Sequence, residues 1–248
     1  MNGVLYIAYT NKKFIDEAIF SATSLKKSNP NIPVTIITDH ELNNNCFDNV
    51  IKYPPNRFKG IRCKQEFVSE SPYENTIMLD TDTYIVDDIS DLFLLLQRFD
   101  IALTHDYARK RIINENSNNL PGGYMFSSFK EYSDIPYSFP EYNTGVIVYK
   151  KNEKVIEFFK QWINKYNEMK KFTPYDQPSF RVSLWQSNLN IHTLPIEYNV
   201  RSKQTKEKNI KYRNIGVLQK NHLTPRIYHW HDISSIDKNT IDNYAQNY

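Results

Sequence analysis

The sequence has only two cysteines, Cys46 and Cys63, in 248 residues. They follow no metal-binding or redox spacing, so reduced thiols in a cytoplasmic setting are expected. Long hydrophobic runs are missing as well. No apolar stretch approaches the ~20 residues that a membrane-spanning helix needs. The opening MNGVLYIAYTN has neither a basic start nor a long apolar core, so it is not expected to act as a signal peptide. Charge of one sign is scarce too: a formal net charge of +3 is too small to imply nucleic acid as a partner. Internal repeats, low-complexity tracts and clear linkers are absent, which predicts one domain over residues 1–248.

Hydrophobic residues make up 40% of the chain and charged residues 24%, a globular balance, and the length suffices for one α/β domain with a full core. Aromatics reach 14%, with 18 tyrosines, whose flat rings and polar tips suit core edges and stacking on sugars or bases alike.

The chain is organised around residues 76–88, TIMLDTDTYIVDD. Ile77, Met78 and Leu79 form a short apolar run that reads as a buried strand in a sheet covered on both faces. It runs straight into Asp80, Thr81 and Asp82. In an extended chain, side chains at i and i+2 share a side, so the two carboxylates are expected to converge. Carboxylates that close repel unless a cation lies between them, and a hard divalent ion with oxygen ligands is the natural occupant. The bare pattern also fits turn or cap residues at Asp82 and Asp88.

Residues 4–9, VLYIAY, read as a first strand, 14–27 as an amphipathic helix and 33–38 as a second strand. This βαβ opening predicts a parallel pair with a right-handed crossover. Ligands bind beyond the carboxyl ends of such strands. Those ends carry Tyr9, Thr10 and Asn11, then Asp39, then the Asp80–Asp82 pair, on one rim. Residues 60–71 read as a short helix bringing Arg62 and Lys64 up before that pair, as phosphate partners or as ordinary solvated cations. A helix is expected at 92–96 and a strand at 100–104 ending at His105 and Asp106. Residues 107–141 have weak periodicity and read as a substrate-facing excursion. A strand over 146–149 follows Asn143, Thr144 and Gly145, and a helix spans 154–167. Asp176 and Gln177 are expected in an extended turn, because Pro178 disfavours helix at the residue before it, with helix over 179–185. The last strand, 226–231, carries His229 and His231 on one face.

In this order the pieces resemble a nucleotide-sugar glycosyltransferase of the GT-A type, most similar to glycosyltransferase family 8, the glycogenin and lipopolysaccharide galactosyltransferase group. The resemblance covers nearly the whole chain, from Val4 to about His231. It implies an α/β, Rossmann-like mixed sheet, mainly parallel, flanked by helices. The βαβ opening with Asn11 resembles the uracil-binding end, with Tyr9, Thr10, Asp39 and Thr81 as further donor-binding positions. KQEFVSESPYENTIMLDTDTYIVDDI resembles the segment presenting the metal motif, with Lys64 or Arg62 as the family's basic residue. His105-Asp106 points to Asp106 as a sugar-contacting acid, YNTGVIVY to Asn143 and Gly145, YDQPSF to Asp176 and Gln177, and IYHWHD to His229 as the third metal ligand. After His229 the chain departs from the family pattern: Trp230, His231 and Asp232 stand in place of an aromatic, a small residue and glycine. Basic residues between 201 and 220 are then the alternative source of diphosphate contacts.

The resemblance implies transfer from a nucleotide diphosphate sugar, a UDP-sugar by preference, to a hydroxyl acceptor with retention. The ion on Asp80, Asp82 and His229 is expected to be Mn²⁺ in preference to Mg²⁺, because nitrogen ligation favours the later metal. Asp106, Asn143 and Asp176 would bind sugar hydroxyls and Gln177 would sit at the reacting face. A nucleotidyltransferase would share the sheet and the acids, but normally carries a glycine-rich loop after the first strand, where AYTNKKF has no glycine. A non-catalytic carbohydrate-binding protein would need neither the paired aspartates nor the Asp-Gln pair.

Overall fold

The computed structural model describes residues 1–55, 57, 63–106, 129–136, 138–204, 210–212 and 224–229; side chains are described for all of these except 202–204 and 210–212. In chain order the elements are β1 (Asn2–Ala8), α1 (Lys12–Ser28), β2 (Val34–Thr38), β3 (Asn49–Lys52), α2 (Lys64–Phe67), β4 (Asn75–Leu79), β5 (Thr83–Ile85), α3 (Leu92–Leu95), β6 (Ile101–His105), α4 (Lys130–Ser133), β7 (Tyr142–Lys150), α5 (Glu153–Met169), α6 (Gln177–Gln186), β8 (Ile191–Leu194), β9 (Val200–Gln204), β10 (Ile210–Tyr212) and β11 (Ile227–His229).

Seven strands form the main sheet, in the order β3-β2-β1-β4-β7-β6-β8. All neighbouring pairs are parallel except those that β7 makes with β4 and β6. The parallel βαβ opening is as the sequence predicts. Burial on both faces explains the continuous apolar runs. Val4, Tyr6 and Ala8 of β1, Ile77 and Leu79 of β4 and Val148 of β7 pack on one side with α1 residues Ala18, Ala22 and Leu25. Leu5, Met78, Ile147 and Tyr149 face the other side, against Phe158, Phe159 and Trp162 of α5 and Phe180 of α6. A smaller sheet, β10-β9-β11-β5, lies beside the end of β4.

Helix α1 starts where Asn11, in extended conformation, accepts the Lys13 N–H at 2.9 Å. Its inward face is partly polar. Glu17, Ser21 and Ser24, spaced i, i+4, i+7, are all buried. Thr81 Oγ1 donates to Glu17 Oε2 (3.0 Å), Ser21 and Thr83 share a 2.7 Å hydroxyl contact, and Ser24 Oγ accepts the Ile85 N–H (2.9 Å). One helical stripe thereby grips residues 81–85, so the three-residue strand β5 is held although it is short.

The structure alters several sequence expectations. The helix predicted over 60–71 is only α2 followed by a 3-10 turn at Val68–Glu70, and residues 60–62 lie outside the described residues. Asp80 to Asp82 form a turn between β4 and β5, not extended chain, with Thr83 Oγ1 closing it on the Asp80 carbonyl at 2.8 Å. Asp176 is helical (φ −80°, ψ −26°) and Gln177 opens α6, with Pro178 in the first turn. Pro178 here sits where its missing N–H costs nothing, which outweighs its usual restriction on the preceding residue. Strands β3, β8, β9 and β10 were not expected. Of the predicted excursion at 107–141, residues 107–128 and 137 lie outside the described residues.

Candidate active site

The site begins at the carboxyl end of β4. Asp80 N donates to the Gly145 carbonyl at 2.8 Å, which ties the turn to the start of β7. Strand β11 pairs with β5 in antiparallel register, His229 opposite Thr83, and this delivers the imidazole to the turn. His229 Nε2 lies 3.2 Å from Asp82 Oδ1 and 3.7 Å from Asp80 Oδ2. One ligand atom from each of Asp80, Asp82 and His229 lies within 4.8 Å of the others, a set able to enclose one ion.

The donor chemistry fits a divalent cation. Two carboxylates supply charge, and the imidazole is buried at 2% exposure. Burial, and after it the Arg201 guanidinium, hold the His229 imidazole below its ordinary pKa, keeping it in the neutral form that ligates metal. Strand pairing places Arg201 opposite His229. The other ring nitrogen, Nδ1, is occupied by Asn199 Oδ1 at 2.8 Å.

Beside this triad, Lys64 Nζ donates to both Asp80 oxygens (2.6 and 2.9 Å) and to the Thr144 carbonyl (3.0 Å), and lies 3.6 Å from Asp176 Oδ2. Of the two basic candidates, Lys64 is the one the structure places at the site; Arg62 lies outside the described residues. A second polar cluster adjoins it. Asn143 Nδ2 and Gln177 Nε2 both donate to Asp106 Oδ2, each at 3.3 Å, and Thr144 Oγ1 donates to Asp176 Oδ2 at 2.9 Å. All four sequence-predicted residues of this cluster, Asp106, Asn143, Asp176 and Gln177, are buried and come together.

An open cleft of about 270 Å³ runs from Tyr9 and Phe14 past Glu17 and Lys64 to Asp80 and Asp82. Thr81 lines it as well, its hydroxyl on Glu17. At its rim, Thr10 takes a positive φ of 72° and its N–H meets Asp39 Oδ1 at 3.0 Å. Asn11, expected at the nucleobase, spends its side-chain oxygen on capping α1. His231, the other candidate imidazole, lies outside the described residues.

Sequence reading missed Glu17, Thr144, Glu141 and Asn199. Glu17 had a signal, since a carboxylate in the i, i+4, i+7 stripe with Ser21 and Ser24 marks a polar inward edge. Glu141 had none: it is buried against Arg181 (3.6 Å), and Gln177 Nε2 reaches it at 3.5 Å.

Gly145 is needed for space. A Cβ there would lie 2.0 Å from His229 Cε1, 2.5 Å from Nδ1 and 2.9 Å from Asn143 Oδ1. Gly145→Ala is expected to displace the imidazole and to cost about 1–3 kcal/mol, the scale of overpacking a filled interior. Thermal midpoint and Mn²⁺ titration check this; a variant matching the parent in both would show that the contact relaxes freely.

The mixed, mainly parallel sheet flanked by helices is that of GT-A glycosyltransferases. The chain belongs to the nucleotide-diphospho-sugar transferase family, whose model matches residues 74–224, and it is a nucleotide-sugar glycosyltransferase similar to glycosyltransferase family 8. Among solved structures it is similar to the galactosyltransferase LgtC in complex with donor and acceptor sugar analogs: 12% identity, TM-score 0.62, covering 99% of this chain and 95% of that one. It also resembles mouse xyloside xylosyltransferase 1 (13%, TM-score 0.57, 96% and 100%) and the glycosyltransferase GlyE of Streptococcus pneumoniae (14%, TM-score 0.55, 80% and 47%). At these identities the likeness is one of fold. No curated protein sequence matches the chain. Among the described residues no helix is long and apolar enough to cross a membrane.

Proposed function

We propose that the protein, as one domain over residues 1–248, transfers a sugar from a UDP-sugar to a hydroxyl acceptor with retention, using Mn²⁺ or, less well, Mg²⁺. The observation that carries the proposal is the Asp80–Asp82–His229 triad, two of whose members, Asp80 and Asp82, line one cleft. The imidazole in the set favours Mn²⁺. When bound, the ion supplies Lewis-acid stabilisation of charge on the leaving diphosphate.

Lys64, whose Nζ lies 2.6 Å from Asp80 Oδ1 and 3.6 Å from Asp176 Oδ2, would meet a phosphate oxygen of the donor. Tyr9, Thr10, Asn11, Asp39 and Thr81 form the base and ribose end, with Arg62 as a further phosphate partner. Asp106, Asn143 and Asp176 hold sugar hydroxyls; a buried polar set rejects a sugar lacking the matching hydroxyl, because its own groups are then left unpaired. Gln177 lies at the reacting face. In the transfer, the acceptor oxygen bonds the anomeric carbon as the bond from that carbon to the diphosphate oxygen breaks, and the acceptor proton passes to the leaving phosphate. Two free, buried cysteines suit a reducing cytoplasm.

A donor screen tests the reading. Hydrolysis and transfer with UDP- and GDP-sugars are measured with Mn²⁺ and with EDTA, and products are identified by anomeric configuration. UDP-sugar turnover that needs the metal and retains configuration is expected. Turnover of GDP-sugars alone would remove the donor assignment, and an inverted product would remove retention.

A further inference from the structure

We propose that Asn199 is a positioning residue, which fixes the tautomer of His229 and thereby keeps the Nε2 lone pair for an ion shared with Asp80 and Asp82. This rests on the metal reading above only for its purpose, since the geometry stands by itself.

Asn199 comes from the 3-10 turn at Ile196–Asn199, just before β9, and is fully buried. Amide oxygen and nitrogen are alike in shape, so a hydrogen-bond network must tell them apart. Here a backbone group does so. The Gly145 N–H can only donate, and it donates to Asn143 Oδ1 at 2.8 Å. The Asn143 atom on that side is therefore oxygen, and the Asn199 atom 3.0 Å from it must be the donor, Nδ2. Asn199 then presents Oδ1 to His229 Nδ1 at 2.8 Å, and an oxygen acceptor requires the proton on Nδ1. With the proton on Nδ1, the Nε2 lone pair is free for an ion lying between it and the carboxylates of Asp82 (3.2 Å) and Asp80 (3.7 Å).

At the other end, Asn143 Nδ2 meets a carboxylate, Asp106 Oδ2 at 3.3 Å, as the same orientation demands. One buried asparagine thus sets the imidazole and braces a residue of the sugar-side cluster. A metal-ligating histidine needs its second nitrogen held in this way, and loss of such a partner typically weakens metal affinity by about 10–100-fold.

The test uses the full chain and the variants Asn199→Ala and Asn199→Asp. Nitrogen NMR of the His229 ring should show the Nδ1–H form in the parent and in Asn199→Asp, whose carboxylate still accepts that proton. Asn199→Ala should move to the Nε2–H form. Calorimetric titration with Mn²⁺ alone should show Asn199→Ala weakened by about 10–100-fold and Asn199→Asp weakened clearly less, since it keeps the acceptor to His229 although it loses the donor to Asn143. An unchanged tautomer in Asn199→Ala, or Asn199→Asp as weak as Asn199→Ala, overturns the proposal. If Asn199→Ala does not fold, Asn199→Asp decides alone: loss of the Nδ1–H form there overturns it. A parent that shows the Nδ1–H form but binds no Mn²⁺ would sink the metal reading and leave the positioning role standing.

Discussion

Asp80→Ala is expected to lower turnover by about two to four powers of ten, the scale of losing a main electrostatic stabiliser. The same loss is expected for Asp82→Ala and, reversibly, for chelation of the parent with EDTA followed by Mn²⁺. The two aspartates differ in a way that sharpens the test. Both Asp80 oxygens also accept from Lys64, whereas Asp82 faces His229 at 3.2 Å. Removing Asp80 therefore strips Lys64 of the carboxylate that accepts at 2.6 and 2.9 Å, with Asp176 further off at 3.6 Å. If the metal role dominates, the two alanine variants lose similar activity and neither is rescued by raising Mn²⁺ to moderate excess. If Asp80 acted only by holding Lys64, then Asp82→Ala would keep near-parent turnover, and the parent would work in EDTA. Turnover with and without EDTA in all three proteins decides between the two.

Much of this site was visible in the order of short motifs, because β-strand ends in a parallel sheet gather their loops on one rim. Asp80 and Asp82 stand out that way, whereas Asp106, Asn143, Asp176 and Gln177 were expected from the resemblance to family 8, and the structure brings their side chains into one cluster. What escaped depends on partners distant in the chain. Asn199 lies 56 residues from Asn143 and 30 from His229, and the three meet only because the Ile196–Asn199 turn packs against both β7 and β11. Short strands such as β11 have weak periodicity, and their register is set by neighbours. The Asp80–Asp82 turn was misjudged for a related reason. The two carboxylates converge as expected, but through a turn and not an extended chain: Glu17, Ser21 and Ser24 on α1 bond Thr81, Thr83 and Ile85 around it. Local propensity at Gln177 was likewise overruled. Trp162 Nε1 donates to the Asp176 carbonyl (3.3 Å) and to Ser179 Oγ (3.1 Å), which holds the first turn of α6 in place.

That anchoring sets up the other large effect: Asp176→Asn is expected to cut kcat/KM for transfer at least roughly a hundredfold with the fold intact. Aspartate before a helix commonly serves as its cap, and then substitution would cost only about 1 kcal/mol of stability and leave chemistry alone. Here that role is vacant. Asp176 is itself helical and its side chain makes no capping bond. The backbone around it is secured by other groups: its carbonyl receives Trp162 Nε1, Ser179 Oγ at 2.6 Å and the Phe180 N–H at 3.1 Å. The carboxylate instead turns toward the site, accepting Thr144 Oγ1 at 2.9 Å and facing Lys64 at 3.6 Å, with 3% of the residue exposed. Asparagine keeps the shape, and its amide oxygen can still accept the Thr144 hydroxyl, so the substitution removes little besides charge. The lost charge matters twice, to the alignment of Lys64 and to a donor hydroxyl that a carboxylate binds more strongly than an amide does. The measurement is kcat/KM for transfer beside the thermal midpoint of each protein. A hundredfold loss at an unchanged midpoint assigns the carboxylate to the reaction, whereas near-parent transfer by Asp176→Asn would return Asp176 to a packing role and remove the acid from the proposed sugar contacts.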